Sequence, residues 1–158
     1  TYMEKYLMVS PEQALFALTY LVLALTAMRL VLSYILKSLS RSYVIYMSLI
    51  IVALGSLILI LGGNYLFTII GLIFFGIGFA AGFPIILSYV ADKFASISGT
   101  AFSLVFVIAL TGNTVLNYLT GFVAESIGIK YYSVIILISV VIMFLIFSIL
   151  ERKSLTKE

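Results

Sequence analysis

The chain of 158 residues is 64% hydrophobic and only 9% charged, with a mean hydropathy of +1.29, whereas soluble domains carry roughly 25% charged residues. That excludes a water-soluble globular fold, and the absence of cysteine and histidine removes disulfides, thiolate chemistry and the commonest metal ligand. The formal charge of +3 comes from loop and tail cations, which in a membrane protein report orientation and not affinity for nucleic acid.

Apolar runs longer than about 18 residues, without strand-like alternation, predict an all-α membrane protein, a transmembrane helix bundle. Residues 1–13 mix aromatics with charge and close on Ser10-Pro11-Glu12, a helix start with Ser as cap and Pro in first position. Five spans follow, over 14–36, 43–61, 65–90, 97–122 and 131–150, and residues 151–158 form a charged tail. The second span is nearly all aliphatic and ends at Gly62-Gly63-Asn64, a turn signal. Glycines punctuate the third, where Gly78 and Gly82 form a small-x-x-x-small pair and Pro84 removes a backbone bond, so close packing with a kink is expected. The second and fifth spans hold only scattered serines, which bond back to their own helix, and are expected to be outer, supporting helices. Short loops predict sequential helices as antiparallel neighbours.

The fourth span is the most informative. At 100° per residue, Phe102, Phe106, Leu110, Asn113, Asn117 and Thr120 fall on one stripe, opposite an apolar back. An unpartnered amide at that depth costs several kcal/mol, about the desolvation of one polar group. Asn113 and Asn117 therefore either bridge neighbouring helices or line a watery path and touch a solute. Arg29 is the one charge well inside a span, roughly 6 Å from the midplane at 1.5 Å per residue. Such an Arg marks a gate, a helix-pairing contact or a substrate contact, or else snorkels. Its face of the first span also holds Thr19, Thr26 and Ser33.

Lys37, Arg41, Lys93, Arg152, Lys153 and Lys157 fall on one side of the membrane, and Lys5 and Lys130 on the other. This asymmetry predicts a cytoplasmic carboxyl terminus. Val31-Leu32-Ser33-Tyr34 in the first span matches Val115-Leu116-Asn117-Tyr118 in the fourth, and the two copies run in opposite directions, as in an inverted-topology repeat. Completing that repeat places a missing helix upstream, with Thr1 to Tyr6 as its last turns.

These residues resemble the carboxyl-terminal half of a major facilitator superfamily transporter. Gly121-Phe-Val-Ala-Glu125-Ser-Ile-Gly128 resembles the family's G-x-x-x-D-x-x-G, with Glu for Asp. Ser98-Gly-Thr-Ala101 resembles the small-residue entry to the eleventh helix, and Gly78 to Pro84 the glycine-rich tenth helix. Arg29 to Arg41 resembles the eighth helix and the loop motif after it, of which G-x-L-x-D-R-x-G-R keeps only the final Arg41. The resemblance implies five complete spans forming most of a six-helix half, with an N-terminal six-helix half as partner. It also implies a plasma or bacterial inner membrane and alternating access without covalent chemistry or a cofactor.

The resemblance further implies a cavity bordered by the first, third and fourth spans, so Asn113, Asn117, Thr120, Phe106 and Thr26 are expected to meet substrate. Phe83 and Tyr89 are expected to approach it. Arg29, Arg41, Glu125 and Pro84 are expected to gate or pair helices. No carboxylate lies in the middle of a span, so a group coupling transport to H+ or Na+ is expected in the other half. Neutral amides, hydroxyls and aromatics suit an uncharged hydroxyl-rich solute, and within the superfamily the pattern is most similar to fucose-permease-type sugar transporters. Efflux of amphipathic drugs and a non-transporting membrane subunit are the competing readings; no nucleophile, base or metal cluster at membrane depth supports an enzyme.

Overall fold

The computed structural model describes residues 10–128 and 131–155, and the side chains of these as far as residue 152. Five long helices run through them: α1 (Pro11–Ile35), α2 (Arg41–Leu61), α3 (Tyr65–Lys93), α4 (Ser98–Ser126) and α5 (Tyr132–Leu155), with a single 3-10 turn at Ala95–Ile97 before α4. All five are long and apolar enough to cross a membrane, and no strand occurs among the described residues. The expected truncated helix at Thr1 to Tyr6 lies outside the described residues.

Local chemistry sets the helix starts. Ser10 and Gln13 form a reciprocal capping box at α1, with the Gln13 amide donating to Ser10 Oγ at 3.3 Å and the Ser10 amide to Gln13 Oε1 at 3.2 Å, so two orphan donors are satisfied at once. Ser40 Oγ caps α2 by accepting from the Tyr43 amide, and Asn64 Oδ1 caps α3 by accepting from the Phe67 amide. Gly128, at φ 116°, follows the end of α4 in a conformation that side-chain-bearing residues rarely adopt.

Helix α3 is the centre of the packing, with α1 on one side and α2 on another, while α5 packs on α2. Although α1 and α2 are joined by a short connection, each makes its main contact with α3 and not with the other. Sequence adjacency therefore does not decide the neighbours here. The glycines of α3 do. A Cβ on Gly76 would lie 2.4 Å from the Leu21 carbonyl oxygen of α1, and one on Gly78 would lie 2.3 Å from Val52 Cγ2 of α2. Gly71 and Gly55 face each other across the α2–α3 crossing, a Cβ on either falling 3.0–3.1 Å from the other's carbonyl oxygen. Close backbone approach through small residues is the usual means of holding helices together in lipid, where apolar burial gives no net drive.

Two expectations need correction. Gly82 has nothing within 4 Å of where a Cβ would sit, so the close-packed pair is Gly71 with Gly78, two turns apart on the face toward α2. Helix α2 is not an outer element: Val44, Ile45, Val52, Gly55, Ser56 and Leu59 are buried between α3 and α5, because its aliphatic residues run around most of its circumference. Helix α4 is the opposite case, with no buried residue and only sparse contact with α3 and α5. It stands off from the other four and leaves a cavity between.

Candidate functional site

The cavity has a volume of about 1130 Å³ and draws its walls from all five helices. The wall from α4 is Asn113, Leu116, Asn117, Thr120, Gly121 and Ala124; facing it are Phe75, Phe79, Gly82 and Phe83 of α3, with leucines of α1 and apolar residues of α2 and α5. No Asp, Glu, Lys or Arg lines it. Size and apolar character are those of a small-molecule site.

The two amides bond to each other: Asn117 Nδ2 donates to Asn113 Oδ1 at 3.2 Å, across one helical turn. Neither bonds to another helix, so the bridging alternative is not what the described residues adopt. Thr120 Oγ1 donates to the Leu116 carbonyl at 2.6 Å, Thr114 Oγ1 to Leu110 at 2.9 Å and Ser103 Oγ to Gly99 at 2.9 Å. These hydroxyls use their single proton on their own helix. The hydroxyl oxygens can still accept, so within the α4 wall the amides are the side chains that can also donate to a visitor.

The residues expected at the site divide into those that meet here and those that do not. Asn113, Asn117, Thr120 and Phe83 line the cavity. Phe106 stands just beyond, its ring centroid 6.0 Å from that of Phe83, an aromatic pair linking α3 and α4. Thr26 and Arg29 are exposed on α1 and do not line the cavity, and Arg29 makes no hydrogen bond or ion pair to another described residue. Glu125 is likewise exposed near the end of α4. Pro84 lies within a continuous α3, one residue after Phe83.

A second polar cluster ties the other ends of the helices together. Arg41, the first residue of α2, pairs with Asp92 near the end of α3, and its guanidinium lies 5.5 Å from the Tyr89 ring centroid, within cation–π range. Tyr89 therefore faces this cluster and does not line the cavity; its hydroxyl is 3.3 Å from Ser42 Oγ. Tyr46 of α2 donates to Glu151 of α5 at 2.7 Å and lies 3.3 Å from Ser148 Oγ, with Phe144 and Phe147 edge-on at 5.2 Å. Sequence reasoning missed Tyr46, Ser148 and Glu151. The available signal was a second tyrosine, three residues after Tyr43 in the first turns of α2, and one carboxylate closing the fifth span.

No group of three or more His, Cys, Asp or Glu residues that could hold a metal occurs among the described residues. Comparison with characterised proteins and with solved structures returns no match. The family profile described as Major Facilitator Superfamily matches residues 1–158. With five membrane-length helices around an open apolar cavity, the chain belongs to the Major Facilitator Superfamily, a family of membrane transporters.

Proposed function

We propose that this chain is part of a secondary active transporter that moves a small uncharged solute by alternating access, with Asn113, Asn117 and Thr120 as its contribution to the solute site. The observation that carries this reading is a cavity of about 1130 Å³ without an ionised side chain in its wall, whose exposed amides bond only to each other. An ion entering it would shed water and gain no counter-charge, a loss that no hydrogen bond to a neutral wall restores. The sugar expected from the sequence fits the uncharged requirement, with the phenyl faces of α3 available for stacking against CH groups. Coupling to H+ or Na+ is assigned to helices outside this chain. The membrane is a plasma or bacterial inner membrane, with the carboxyl terminus in the cytoplasm.

A second reading, efflux of amphipathic compounds, is favoured by the aliphatic and aromatic residues that make up most of the wall. The test common to both is solute flux into proteoliposomes holding the full-length protein. Replacing both amides (Asn113→Leu with Asn117→Leu) is expected to reduce flux at least about tenfold, the loss of two hydrogen bonds near 1 kcal/mol each, with unchanged gel-filtration behaviour. Flux at the wild-type rate would remove the amides from the site.

A further inference from the structure

The unused hydrogen-bonding capacity of the amide pair selects more narrowly than for lack of charge. Asn117 Nδ2 donates to Asn113 Oδ1, which leaves the Asn113 amide nitrogen and the Asn117 carbonyl oxygen without a partner among the described residues. If both amides are turned over, the bond reverses, and the free groups become the Asn113 oxygen and the Asn117 nitrogen. Either way one residue offers a free donor and its neighbour a free acceptor, one helical turn apart on the cavity side of α4. An anion can answer only the donor, and a cation only the acceptor, each leaving the other group unpaired and desolvated.

The opposite wall is poor in such groups. It holds four hydroxyls among its lining residues, of which Thr68 Oγ1 donates to the Asn64 carbonyl and Ser139 Oγ to the Ile135 carbonyl, with Ser48 and Tyr132 the other two, and the remainder is mostly Leu, Val, Ile, Phe and Met. A solute with hydroxyls on every face would bury several of them unpaired against these five helices. A solute with one polar head would not. On α3 the facing wall runs from Phe75 past Phe79 to Phe83, eight residues and roughly 12 Å along the helix axis. The apolar body of such a solute has a wall of that length to lie against.

We infer that the Asn113–Asn117 pair is a recognition site for the carboxamide or lactam head of an uncharged amphipathic solute, whose apolar body lies against Phe75, Phe79 and Phe83 of α3. This rests on the reading of the cavity as the solute site, and it chooses within that reading the amphipathic solute over the sugar. Three features of the cavity determine the choice: a donor, an adjacent acceptor, and a long apolar wall.

The test is equilibrium binding to the full-length protein in nanodiscs, with 3-phenylpropanamide as probe and empty nanodiscs as the partition blank. Its N,N-dimethyl derivative keeps the acceptor and lacks the donor, 3-phenylpropanoate carries the charge, and D-glucose represents a sugar. Saturable binding of the primary amide is expected, at least about tenfold tighter than of the dimethyl amide or the carboxylate, the ratio given by one lost hydrogen bond and an unpaired partner. The Asn113→Leu, Asn117→Leu double variant should keep weak binding of all three and lose the preference. Both side chains are exposed, so the replacement does not disturb the packed helices. Equal binding of the amide and its dimethyl derivative, no saturable binding of the amide, or displacement by glucose at the same site would overturn the inference. Flux separates it from the transport reading: selective amide binding without movement across the bilayer refutes transport alone, and amide-dependent glucose flux refutes the inference alone.

Discussion

Tyr46 occupies the point where α2 meets the far end of α5, and its two halves do separable things. The ring packs between Phe144 and Phe147, and the hydroxyl reaches Glu151 and Ser148. Replacement Tyr46→Phe keeps the ring and is expected to cost about 1–2 kcal/mol through the bond to the carboxylate. Tyr46→Ala also loses the aromatic contacts and should cost about 3–5 kcal/mol, the range for truncating a packed aromatic; thermal unfolding of the purified protein measures both. The Arg41–Asp92 pair is a different case, since the side chains are 41% and 62% exposed. Its coupling energy in a double-mutant cycle of Arg41→Ala and Asp92→Asn is expected below about 1 kcal/mol, and a value of 3 kcal/mol or more would mean that the pair holds the helix ends. Arg41 was legible as a retained motif cation. Its partner was not, because 51 residues separate the two and only the α2–α3 crossing brings them together.

At the scale of the element, α3 shows that glycines on one helix have different jobs. Gly71 and Gly78 press against α2 and Gly76 against α1, while Gly82 faces open space. A bulky side chain at Gly78 must push Val52 and the Ser48 carbonyl away, so Gly78→Leu is expected to destabilise by about 1–3 kcal/mol or more, the range for overpacking. Gly82→Ala meets no atom and should be neutral to slightly stabilising, by at most about 1 kcal/mol, the helix-propensity gain of Ala over Gly. Melting temperatures of the two variants in one detergent decide the matter: equal loss in both would mean that Gly82 is packed in the membrane. The richness of α3 in small residues was readable from composition. Which glycine meets which helix was not, because that follows from crossing angle and register.

Across the whole molecule, four helices pack and the fifth stands apart, so the polar stripe of α4 borders space. A cysteine introduced at Asn113, in a chain otherwise free of cysteine, is expected to react quickly with a water-soluble thiol reagent. One at Ser56, fully buried between α2 and its neighbours, should resist; protection at Asn113 would mean a dry, partnered face. The sequence by itself determined the number of spans, the capped helix start at Ser10, and the grouping of Asn113, Asn117 and Thr120 on one face. Hydrophobic run length, cap chemistry and the 100° helical rotation are local, and each is complete within a few turns of chain. Only the tertiary structure decided that α1 and α2 both pack on α3, that Tyr89 turns to Arg41 and away from the cavity, and that the two amides satisfy each other. Those outcomes depend on which backbones approach closely enough to touch, and in a bundle whose helices are apolar nearly all round, hydrophobic pattern alone does not distinguish one neighbour from another.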